Sequence, residues 1–65
     1  MGINLKKNQE ENIMNIIRKN IEVVAIDKTI GNYDLCAFIM AKNLDELEKI
    51  KYLVKRERGV FSVDL

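Results

Sequence analysis

Residues 21–41 read Ile-Glu-Val-Val-Ala-Ile-Asp-Lys-Thr-Ile-Gly-Asn-Tyr-Asp-Leu-Cys-Ala-Phe-Ile-Met-Ala, and the fold turns on them. Two apolar runs, 21–28 and 33–41, flank Thr29-Ile30-Gly31-Asn32. The first is rich in β-branched side chains, which favour strands, and Gly31 and Asn32 both tolerate positive φ in a turn. The stretch therefore predicts a β-hairpin. In its second arm one parity holds Tyr33, Leu35, Ala37, Ile39 and Ala41, and the other holds Asp34, Cys36, Phe38 and Met40. A sheet covered by helices on one side alternates apolar with polar residues, yet here both parities are apolar after Asp34. The first arm repeats this less strongly, with Ile21, Val23 and Ala25 set against Val24 and Ile26. The open sheet face would then present Val24, Cys36, Phe38 and Met40. A contiguous exposed apolar patch marks an interface, most simply with a second copy about a two-fold axis. The alternative is a central strand in a monomer with an irregular core.

Working outward from the hairpin, two helices and two short strands come into view. Ile3 and Leu5 alternate with Asn4 and Lys6, which suits a strand over residues 2 to 6. Asn8 followed by Glu11 has capping-box spacing for a helix over about 9–19. Glu10 and Glu11 in its first turn and Arg18 and Lys19 in its last suit the helix dipole, and Ile13, Ile16 and Ile17 form its apolar stripe. Beyond the hairpin, Asn43 and Glu46 repeat the capping box. Leu44, Leu47, Ile50, Leu53 and Val54 recur at helical spacing. Asp45 and Lys49 make a favourable i,i+4 pair, and Gly59 suits the left-handed position after the helix. Residues 60–65 complete the chain as a strand. The order β-α-β-β-α-β is the ferredoxin-like α+β arrangement: a four-stranded antiparallel sheet with two helices on one face, in a single domain over residues 1–65.

Composition bounds the chemistry. A chain of 65 residues buries only about 60% of the surface it exposes unfolded, so its core alone is marginal. Cys36 is the single cysteine and histidine is absent, which excludes an intrachain disulfide and the commonest zinc ligand. Oligomerisation is left as the extra support. Lys plus Arg number 11 and Asp plus Glu number 10, a net charge of +1 that gives no electrostatic footprint for nucleic acid or an anionic membrane. No apolar run approaches the roughly 20 residues of a membrane span, and the basic Lys6-Lys7 stands where a signal peptide would turn apolar. A cytoplasmic location is expected, and a single thiol suits a reducing compartment.

At Ile30-Gly31-Asn32-Tyr33-Asp34-Leu35 the pattern becomes more specific. A Gly-x-Tyr-Asp turn enters an apolar strand, an Asn43-Leu44-Asp45-Glu46-Leu47 helix start follows, and Gly59-Val60 opens a last strand. This ordered set resembles the effector domain (RAM domain) of the leucine-responsive and asparagine-responsive (Lrp/AsnC, feast/famine) transcription regulators. The resemblance implies the stand-alone form of a domain that in the family follows a helix-turn-helix. It implies a dimer through the sheet, which can assemble further, and co-assembly with full-length regulators of the family. It also implies that an amino acid or related small metabolite binds near the turn between the second and third strands, here Gly31, Asn32, Tyr33 and Asp34. Gly31 lets backbone amides approach a carboxylate, Asp34 can accept from an ammonium group, and Tyr33 offers a ring and a hydroxyl. The alternative is that these residues only make and pin the turn. The chain also departs from the family. Leu65 stands where a pocket threonine is usual, and Arg58 replaces the proline common before the glycine.

Catalysis, cofactors and metals find no support. Thr29 and Ser62 are the only aliphatic hydroxyls, with no histidine to activate either, and Cys36 sits among apolar neighbours. Asp27 and Asp34 flank the turn as a conceivable carboxylate pair, or as two solvated carboxylates. Lys51, Lys55, Arg56 and Arg58 read as a solvated helix face. Phe38 has no aromatic or basic companions of the kind an RNA-binding sheet carries. The expected function is a non-enzymatic effector-binding and oligomerisation module linked to transcriptional regulation of amino-acid metabolism. The alternatives are a structural dimerisation module without ligand and an amino-acid-binding regulatory subunit of a metabolic enzyme.

Overall fold

A computed structural model describes the backbone of residues 1–65 and the side chains of all but Thr29 and Ile30. The elements run β1 (Gly2–Leu5), α1 (Glu10–Asn20), β2 (Glu22–Ile30), β3 (Tyr33–Met40), α2 (Leu44–Lys55) and β4 (Val60–Asp64). The strands form one sheet in the order β2-β3-β1-β4, and every neighbouring pair is antiparallel. This is the ferredoxin-like α+β arrangement expected from the element order.

The core lies between the helices and one sheet face. Ile3, Leu35, Ala37 and Val63 point from the sheet, Ile13, Met14 and Ile17 from α1, and Ile50 and Val54 from α2, all of them buried. Each wholly buried isoleucine contributes about 2 kcal/mol by leaving water. No polar or charged residue is buried among the described side chains.

Local chemistry sets the boundaries, and in three places it departs from expectation. Ile30 pairs with Tyr33, so the loop is only Gly31-Asn32 rather than a turn from Thr29. Gly31 has a φ of 59° and Asn32 is not in the left-handed region, the pattern of a type II′ turn, whose first central position favours glycine. At the start of α1 the expected Asn8 cap is replaced. Asn8 itself holds a φ of 70°, and Gln9 takes the cap position without a side-chain hydrogen bond. Asn8 is spent on reversing the chain, a conformation asparagine tolerates better than most residues. On α2 the cap is as expected. The Glu46 N–H donates to Asn43 Oδ1 at 2.9 Å, and the Lys42 N–H donates to Glu46 Oε1 at 3.2 Å. Leu44, however, lies outside the apolar stripe and is 73% exposed. Gly59 takes a φ of 86° beyond α2, as its position suggests.

Both outer strands carry an irregularity. In β2 the register shifts between Val23 and Ala25, leaving Val24 as an extra residue opposite β3. In β4 it shifts where Asn4 pairs Ser62 but Leu5 pairs Val60, leaving Phe61 without a partner. The two extra residues are 67% and 72% exposed.

Candidate functional site

The two groups of residues singled out by sequence lie in different settings. Gly31 and Asn32 form an exposed tip, and a side chain added at Gly31 would meet nothing within 4 Å. Tyr33 and Asp34, nearer the sheet, are hydrogen-bonded to partners within the chain. The Leu5 N–H donates to Asp34 Oδ2 at 2.9 Å. The ladder between β1 and β3 pairs Gly2 with Cys36 and Ile3 with Leu35 and stops there on the Leu5 side, so this carboxylate accepts from an amide just past its end. Asp27 lies opposite Cys36, so Asp27 and Asp34 are not cross-strand partners.

Tyr33 reaches across β1 to β4. Its hydroxyl donates to Asp64 Oδ2 at 2.8 Å. A methyl group added at Gly2 would stand 2.7 Å from the tip of the Tyr33 ring, so the ring fills the space that glycine leaves. Strict alternation would place Tyr33 on the same face as buried Leu35. Instead its ring covers Gly2, whose absent side chain points away from the core beside Ile3. The bond to Asp64 and that carboxylate's charge hold the Tyr33 hydroxyl above its ordinary pKa of 10.0.

The open sheet face is divided. Across β2 and β3 the facing pairs are Glu22 with Met40, Ala25 with Phe38 and Asp27 with Cys36, and Val24 lies beside Ala25 at the bulge. Phe38 is 49% exposed and Met40 56%, while Cys36 is half-buried with a free thiol. Val24, Ala25, Phe38 and Met40 therefore make a contiguous apolar surface, with Glu22 and Asp27 at its margins. Across β1 and β4 the face carries polar side chains, with exposed Phe61 beside them at the β4 bulge. Asn4 Nδ2 donates to Ser62 Oγ at 3.3 Å, and beyond them lie Gly2, Tyr33 and Asp64. Sequence reasoning found the apolar half through Phe38, Met40, Cys36 and Val24. It missed Asp64, whose role depends on a tyrosine far away in the chain, and it had no signal for the polar half as a unit.

Among the described residues no group of three or more acidic, cysteine or histidine side chains could hold a metal ion. No helix is long and apolar enough to cross a membrane. The fold is that of a small α+β domain whose open sheet face is half apolar. A scan against protein-family models, a search of curated proteins and a search of solved structures each gave no match.

Proposed function

We propose that the chain is an oligomerisation module that pairs with a second copy through the β2–β3 half of its open sheet face. One observation carries this: Phe38, Met40 and Val24 form a continuous apolar surface that neither helix covers. Water contact with such a surface is unfavourable in proportion to its area, and a second sheet removes it. The small-molecule role that goes with the Lrp/AsnC resemblance is the second part of the reading. In that role an amino acid or related metabolite binds at Gly31 and Asn32, and the assembly takes part in regulating transcription of amino-acid metabolism, by itself or with full-length regulators. The exposed, positive-φ tip favours it, since the glycine leaves room for a ligand to approach the backbone closely. Tyr33 and Asp34 are engaged within the chain and act in this reading by holding the tip.

The test is solution mass by light scattering, with and without a pool of amino acids. A dimer or larger species is expected, and Phe38→Asp or Met40→Asp is expected to dissociate it. A shift of mass with the pool supports the effector part, and a fixed dimer favours a structural module without ligand. A monomer under both conditions overturns sheet pairing.

A further inference from the structure

The chain's total of +1 hides an uneven distribution of charge. Residues 49–58 hold five cations, Lys49, Lys51, Lys55, Arg56 and Arg58, against one acid, Glu57, a local charge of +4. The other 55 residues hold six cations and nine acids, a charge of −3. The three acids of α2 all lie in its first half, as Asp45, Glu46 and Glu48. The excess of positive charge therefore sits on the second half of α2 and just beyond it.

α2 buries Ile50 and Val54, and at 100° per residue the opposite direction passes through Tyr52, which is 60% exposed. Tyr52 lines a shallow concavity with Glu48, Lys51, Lys55 and Arg56. Lys51 is half-buried, and Lys55 and Arg56 are exposed. Lys51 and Lys55 follow each other on one side of the ring, about 6 Å apart along the helix axis. The Arg56 guanidinium lies over the ring, 5.9 Å from its centroid. Glu48 is the one acid of the concavity and stands at its N-terminal edge. Glu46 is engaged elsewhere, accepting from the Lys42 N–H. The helix dipole accounts for Lys55 and Arg56 beside the last carbonyls. It does not account for Lys51 a turn earlier, since two cations at i,i+4 destabilise a helix. Nor does the core account for Tyr52, which packs against none of it.

We infer that this face of α2 binds single-stranded nucleic acid. Lys51, Lys55 and Arg56 neutralise neighbouring phosphates, and Tyr52 stacks an unpaired base on the ring surface that Arg56 leaves open. The planar guanidinium beside the ring widens the platform. The tyrosine decides among polyanions. An acidic peptide or an anionic bilayer would meet the cations but has no flat ring to lay on Tyr52. In a duplex the bases are already stacked on one another. The inference goes beyond the oligomerisation reading and does not rest on it, because α2 lies across the sheet from Phe38 and Met40.

Fluorescence anisotropy with short labelled strands of oligothymidylate and oligouridylate tests this, and the stronger of the two tells DNA from RNA. Binding is expected at about 50 mM salt and should weaken about 20-fold by about 200 mM, the slope for three neutralised phosphates on a single strand. The double variant Lys55→Gln, Arg56→Gln should bind more weakly and lose only about threefold over the same range, the slope for one. Tyr52→Ala should weaken binding about tenfold, while Tyr52→Phe keeps it, since stacking needs the ring and not the hydroxyl. The residues changed are exposed, so the fold is not at stake. Polyglutamate and phosphatidylserine vesicles should compete poorly. Absence of binding at about 50 mM salt, where phosphate contacts are strong, overturns the inference. So does binding that either the double variant or Tyr52→Ala leaves intact, or that polyglutamate or the vesicles match, which would make the face a general anion surface. Phe38→Asp should dissociate the sheet dimer without changing the affinity per chain, so each reading can fall alone.

Discussion

Tyr33 shows how one side chain can be recruited away from the role its position suggests. The turn made it a ligand contact, but its hydroxyl is committed to Asp64 and its ring to Gly2. The hydrogen bond and the nearby negative charge both favour the neutral phenol, so the folded pKa lies above the unfolded value. The stabilisation is therefore complete below about pH 10 and is lost as the pH rises through the folded pKa. Urea midpoints measured from pH 9 upward should fall more steeply for the wild type than for Tyr33→Phe, which has no phenol to ionise. Parallel curves would show that the bond to Asp64 adds nothing. Gly2→Ala attacks the same contact from below. Its methyl group would displace the ring tip and should cost about 1 kcal/mol in the same assay, near the low end for overpacking because the ring can swing outward. Neither partner was legible beforehand. Tyr33 and Asp64 are 31 positions apart, and Asp34 and Leu5 are 29 apart. Residue types near a turn say which groups could bind a ligand, not which distant groups reach them first.

At the scale of the elements, two asparagines with the same apparent signature behave differently. Asn43 caps α2 with a hydrogen bond from Glu46 N–H, whereas Asn8 sits at a φ of 70° and caps nothing by its side chain. Serine distinguishes the two uses. It is as good a cap as asparagine but a poor left-handed residue. Asn43→Ser should leave the thermal midpoint nearly unchanged, and Asn43→Ala should cost about 1 kcal/mol, or about 4–8 °C in a domain of this size. Asn8→Ser should cost about 1 kcal/mol. Equal midpoints for Asn8→Ser and the wild type would return Asn8 to a capping role. Element order and type were open to reading, because the 3.6-residue and two-residue periods differ and Gly31, Asn43 and Gly59 mark boundaries by backbone chemistry. The capping-box spacing at Asn8 and Glu11 matches equally well a chain reversal one residue earlier. The bulges at Val24 and Phe61 left no mark, since an extra residue inside an apolar run looks like its neighbours.

For the whole molecule the informative quantity is which surfaces stay uncovered. The unbroken apolar run from Leu35 to Ala41 correctly indicated that one sheet face is not closed by the helices, and Phe38 and Met40 are exposed accordingly. Its limit was lateral. The polar half around Asn4, Ser62 and Asp64 is assembled from the two ends of the chain, so only pairing across β1 and β4 reveals it. A second sheet should therefore sit off-centre, over β2 and β3. Asn4→Asp, on the polar half, should leave the dimer mass unchanged where Phe38→Asp abolishes it. Dissociation by both would mean that the whole face is covered.

The shifted registers of the two outer strands have a further consequence. An outer strand offers unpaired amides and carbonyls to any extended chain that approaches it. At Val24 and Phe61, each near the first end of its strand, the spacing of those groups is broken. A new strand cannot zip along either edge for its full length. The breaks thus disfavour edge-to-edge joining of copies into open-ended fibres.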